Sequence, residues 1–165
     1  MTDERYQDLL DKPFDGSRRC RDVFPLFMKV SSILVGRDDL PEWVGRAYLA
    51  LLADGPSVQG TTYTLEELVG LLDRFSELQH ATDLRDAVQR CIVDDRRLAP
   101  AARAVAYVWY SASLPDEKGY PLRMAPADTY ATGLIWEAIS AHPVGITGPY
   151  FGHWAYPPPR PIEHP

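Results

Sequence analysis

Apolar residues in this 165-residue chain recur at spacings of three and four in short blocks, and the blocks are separated by glycine and proline. That spacing lines up one stripe of side chains on one face of a helix, and the punctuation keeps every helix short. Phe24, Phe27, Val30 and Leu34 share such a face between Val23 and Val35, with Asp22 as N-cap, Pro25 in the first turn and Gly36 at the end. Pro41 opens a second helix whose stripe is Trp43, Val44, Ala47, Tyr48, Leu51 and Leu52, down to about Ala53. Gly55-Pro56 and Gly60 then predict a loop.

Thr64-Leu65-Glu66-Glu67 reads as a capping box, in which hydroxyl and carboxylate satisfy end amides reciprocally. Leu68, Leu71, Leu72, Phe75 and Leu78 follow on one face. A shorter helix is predicted from Asp83 to Val93, carrying Leu84, Val88, Cys91 and Ile92, and Asp94-Asp95-Arg96-Arg97 reads as a solvated connector. Pro100 starts the next helix, with Ala101, Val105, Val108, Trp109 and Ala112 on its stripe, until Pro115 to Gly119 break it. Tyr120 to Met124 fits a short extended segment. A last helix is then expected from Pro126 through Tyr130, Leu134, Ile135, Ala138 and Ile139 to about Ala141. Trp43, Trp109 and Trp136 fall on helical apolar faces and are expected in the core.

These elements predict an all-α fold, an irregular bundle of five or six helices with an extended Pro/aromatic-rich C-terminal arm. Residues 1–22 read as a polar N-terminal arm with one helical turn around Tyr6 to Leu10, 23–142 as the helical domain and 143–165 as the C-terminal arm. A formal net charge of -6 and the lack of a dense Lys/Arg stripe argue against nucleic acid or an anionic lipid surface. No apolar run approaches the roughly 20 residues of a membrane span, so no direct membrane insertion is expected. Ser17-Arg18-Arg19 precedes an apolar run that Pro25 and Lys29 interrupt, which predicts no signal peptide. A cytoplasmic location follows, or a periplasmic one if the chain is exported with a signal-bearing partner.

The chemistry of a self-contained enzyme is hard to find. Neither GxGxxG after a strand nor GxxxxGK[ST] before a helix occurs, so no cofactor site is expected in this chain. His80, His142, His153 and His164 stand far apart without metal-ligand spacing, and only His153, between Gly152 and Trp154, invites attention. Asp38-Asp39, Glu66-Glu67 and Asp94-Asp95 sit where caps and loops call for carboxylates. Cys20 and Cys91 read as idle thiols or a single bridge. No catalytic or metal residue is expected.

The segment from Gly145 to Pro159 is different. Pro and Gly preclude a helix there, yet it carries Tyr150, Phe151, Trp154 and Tyr156, whose rings need cover, and it ends in Pro157-Pro158-Pro159. Two readings stand: the segment clamps its own bundle, or it lies along a partner. The second makes Tyr150, Phe151, His153, Trp154, Tyr156 and Pro157 the partner-binding residues.

Four motifs occur in order: Phe27-Met28-x-x-Ser31-x-x-Leu34-x-Gly36, Ala106-Tyr107-x-Trp109-Tyr110, Tyr130-Ala131-x-x-Leu134-Ile135-Trp136, and Gly148-Pro149-Tyr150-x-Gly152-x-Trp154-Ala155-x-Pro157. Together they resemble the small subunit of FAD-dependent sugar and polyol dehydrogenases, the sorbitol dehydrogenase small-subunit family, from Phe24 to Pro159. The resemblance implies a non-catalytic subunit that binds, folds and stabilises a large flavoprotein of the glucose-methanol-choline (GMC) oxidoreductase type. FAD resides in that large subunit, which oxidises sugar or polyol hydroxyls, and a cytochrome c subunit commonly completes the complex. This chain departs from the family in opening on a polar arm rather than a twin-arginine signal, and in having no cysteine before Gly152-x-Trp154. A stand-alone helical adaptor, or a small enzyme using His153 as acid/base, remain the rival readings.

Overall fold

The computed structural model describes residues 23–141 and 143. The expected helical bundle is present. Helix α1 spans Val23–Val35, α2 Glu42–Asp54, α3 Leu65–Leu78, α4 Leu84–Val88, α5 Ala99–Ser111, α6 Ala127–Tyr130 and α7 Leu134–Ala138. A 3-10 turn, Gly55–Ser57, follows α2, and a π-helical turn, Gln89–Val93, continues α4. The bundle is built around α1 and α5. Helix α1 packs on α2, α3 and α5, and α5 also meets α2, α3, the π-turn and α7.

Local chemistry explains most boundaries. Gly36 ends α1 with φ +73°, a conformation that carries no Cβ penalty in glycine. The capping box at α3 forms as expected: the Glu67 amide donates to Thr64 Oγ1 at 3.2 Å and the Thr64 amide to Glu67 Oε2 at 2.7 Å. Asp95 accepts from the Arg97 and Leu98 amides at the approach to α5. Gly45 faces the Met28 thioether where α1 and α2 meet, and a Cβ there would displace the end of that flexible side chain.

The core runs through the expected stripes. Phe27, Val30, Val44, Tyr48, Leu52, Leu71, Phe75, Ile92, Val105 and Val108 are buried. At the meeting of α2 and α5, Tyr48 and Trp109 stack edge to face, centroids 5.0 Å apart and planes at 85°. Tyr48 Oη donates to the Thr129 carbonyl at 3.0 Å, fastening α6 to α2. Tyr63 Oη donates to the Leu52 carbonyl at 2.6 Å and holds the loop before α3.

The structure departs from several expectations or adds to them. Trp43 is 52% exposed, not core, because it lies on the first turn of α2 with its side chain away from the packed face. Trp136 is only half-buried. The predicted helix after Pro126 is two helices, broken at Ala131–Gly133, where Gly133 passes so close to the Tyr110 carbonyl that a Cβ would lie 2.9 Å from it. The extended segment has a partner that periodicity did not predict: Ser113–Pro115 (β1) pairs antiparallel with Pro121–Met124 (β2). Asp116 Oδ1 accepts from the Lys118 and Tyr120 amides at 2.8 Å and shapes the turn, and Gly119 takes φ +82°. The predicted Asp83 to Val93 helix is continuous in chain but not in type, because the Asp94 amide reaches back five residues to the Gln89 carbonyl at 2.9 Å.

Two predictions follow from this packing. Trp109→Ala should cost about 3–5 kcal/mol and Trp43→Ala less than about 0.5 kcal/mol, read from urea unfolding of the isolated chain; equal effects would contradict the burial described. Burial, partly offset by the Thr132 hydroxyl, pushes the Tyr48 phenol from 10.0 up to about 12. Ionisation is therefore easier in the unfolded chain, so this contribution is complete below pH 10 and is lost as pH rises towards 12. Tyr48→Phe should be less stable near pH 8, by about 0.5–1.5 kcal/mol, and the deficit should shrink by pH 11. A deficit that stays constant across that range would exclude this titration.

Candidate functional site

The partner-binding residues expected from the sequence, Tyr150, Phe151, His153, Trp154, Tyr156 and Pro157, lie outside the described residues, as do Cys20, His142 and His164. His80 is exposed just beyond the end of α3. The structure does show how the bundle is tied together near residue 141. Arg37 donates from Nε and Nη2 to the Asp39 carboxylate and from Nη1 to Glu137 Oε2, all at 2.9 Å. One guanidinium thereby ties the α1–α2 connection to α7, and the two carboxylates raise its affinity for its proton well above the ordinary arginine range. Trp136 packs edge to face on Tyr130, centroids 5.4 Å apart, and its Nε1 donates to the Tyr130 carbonyl at 3.0 Å. The Ala141 amide then returns to the Trp136 carbonyl at 2.9 Å.

Large apolar side chains remain on the surface. Trp43, Tyr120 and Ile139 are each more than half exposed, and Met124 nearly so. Tyr110 is exposed beside α7. Arg46 lies over the Phe24 ring, 4.2 Å from its centroid, and shields the edge of α1.

A groove runs along the outer side of α1. Its first basin, about 330 Å³, has an apolar floor that includes Ile33, Leu34, Val88 and Ala102, with Arg85 and Arg103 at the rim. The second, about 370 Å³, holds Met28, Leu40 and Leu84 with Lys29 and Asp38. Ile33 lines both. Sequence reasoning missed this surface because its residues come from several elements and each is unremarkable on its own helix. The π-turn that presents Gln89 and Val93 to the first basin leaves no periodic signature.

Neither basin suits a dinucleotide. A helix start can offer free amides to a pyrophosphate, but at α3 the capping box already engages the Thr64 and Glu67 amides, and before α5 Asp95 accepts from those of Arg97 and Leu98. Glu66 and Glu67 add negative charge at the α3 start. The basins are apolar and at the small end of ligand sites, about 300–1,000 Å³. No cluster of three potential metal ligands occurs among them, and no described helix is long and apolar enough to cross a membrane.

The family model described as membrane-bound FAD-containing D-sorbitol dehydrogenase matches residues 18–140, whereas comparisons with curated proteins and with solved structures find no match. The matched region includes every described helix and strand, with the Tyr48–Trp109 core and the Arg37 tie. The chain thus belongs to the membrane-bound FAD-containing D-sorbitol dehydrogenase family, in agreement with the first three of its four sequence motifs; the fourth, from Gly148 to Pro157, lies beyond the matched residues.

Proposed function

We propose that this chain is the non-catalytic small subunit of an FAD-dependent dehydrogenase complex, binding, folding and stabilising a large GMC-type flavoprotein that oxidises sugar or polyol hydroxyls. The observation that carries this reading is the family match over residues 18–140. It is supported by a helical bundle whose basins do not suit a dinucleotide and whose surface keeps Trp43, Tyr110, Tyr120 and Ile139 exposed. Aromatic side chains on a well-packed scaffold are the usual anchors of a protein interface. FAD belongs, in this reading, to the large subunit, and a cytochrome c subunit is a further candidate component. Attachment to the membrane would come through those partners.

The C-terminal segment is the proposed anchor. Tyr150, Phe151 and Trp154, with His153, Tyr156 and Pro157, lie in a stretch stiffened by proline. A stiff segment loses less conformational entropy on docking than a flexible one.

Expressed alone, the chain should carry no flavin absorbance and no dehydrogenase activity; co-expression with its flavoprotein should yield a yellow, active complex. Stoichiometric FAD in the chain purified alone would refute the reading. Deletion from Pro149 onward should abolish co-purification while leaving the far-ultraviolet helical signal nearly unchanged. Flavoprotein binding of unaltered affinity after that deletion would assign the segment to its own bundle instead.

A further inference from the structure

We infer that the groove along α1 is the docking site of the chain's own N-terminal segment, residues 3–11, seated by its apolar residues and held by its carboxylates on Arg85 and Arg103. The floor of the first basin is apolar, yet both rim cations are exposed and neither forms an ion pair with another described residue. A groove of this kind fits a short segment with an apolar side and an acidic side. Residues 3–11 have that pattern: Tyr6, Leu9 and Leu10 are spaced to share one side of a helical turn, and Asp3, Glu4, Asp8 and Asp11 surround them, opposed only by Arg5.

Reach and charge both select this segment. Residues 12–22 span up to about 35 Å when extended, whereas the rise from Val23 to Leu34 along α1 is about 17 Å. The segment can therefore return along α1 to the basin beside Leu34. Residues 144–165, the other stretch beyond the described bundle, carry Glu163 as their one acidic side chain, against Asp3, Glu4, Asp8 and Asp11 in residues 3–11. This inference does not rest on the flavoprotein reading and is tested without it.

Hydrogen exchange of the full-length chain provides the test. Amides of residues 4–11 should exchange at least tenfold more slowly than in the R85E/R103E variant, in which two exposed side chains change and the bundle should stay folded, as circular dichroism would verify. The charge-swapped combination with D8K/D11K should restore the protection, and high salt should weaken it in the parent chain. Removal of residues 1–11 should also speed exchange in the π-turn. Exchange of residues 4–11 at the same rate in parent and R85E/R103E chains overturns the proposal. So does a groove whose exchange ignores removal of residues 1–11 but slows when the flavoprotein is added, which would give the surface to the partner.

Discussion

The described bundle depends on the edge-to-face contact of Tyr48 with Trp109. It sits where α2 crosses α5 and is continuous with Phe27 and Val30 of α1, so the three helices share one buried center. The arrangement keeps a polar defect. The Trp109 indole N–H has no hydrogen-bond partner among the described residues, nor has the Ser31 hydroxyl. An unpaired buried donor costs about 1–3 kcal/mol, while truncating a buried aromatic typically costs about 3–5 kcal/mol. Packing outweighs the defect, and the indole stays inside. Tyr48 differs in reaching a carbonyl with its hydroxyl, and that bond carries the order of the core outward to α6.

From α6 the order passes to the end of the described chain through polar contacts rather than through bulk. The Thr132 hydroxyl donates to the Thr129 carbonyl, Trp136 packs on Tyr130 and donates to its carbonyl, and Arg37 bridges α7 to the loop after α1. Helices of four and five residues cannot hold themselves in water. Their positions come from these ties to the larger helices. The hairpin is secured in the same way, with Arg123 paired to Asp54 at the end of α2 and the Tyr107 hydroxyl on the Gly119 carbonyl.

How much of this was legible follows from where each signal resides. Helices α1, α2, α3 and α5 were readable because each exceeds three turns, and their stripes repeat often enough to stand out. The Thr64 cap was readable because its chemistry is local. The break at Ala131–Gly133 was not, because there Gly133 lies against the Tyr110 carbonyl, distant in sequence and close in space. Strand β1 was hidden for a related reason: three residues carry no period, and Ser113 to Pro115 become a strand only through pairing with β2. The groove along α1 was illegible because it is a property of spacing between elements.

Trp43 and Trp109 show the limit of periodicity most clearly. Both fall on helical stripes, yet one is 52% exposed and the other 1%. The pattern reports that a residue lies on an apolar face and does not report what that face meets. In a protein that works alone the distinction is small, because nearly every apolar face turns to its own core. In the small-subunit reading proposed above, an apolar face has a second destination. An exposed tryptophan at the start of a well-packed helix is then a measure of how much cover the bundle does not provide for itself. The same holds for the apolar floor between Arg85 and Arg103, whose charged rim favours an acidic occupant over another apolar helix.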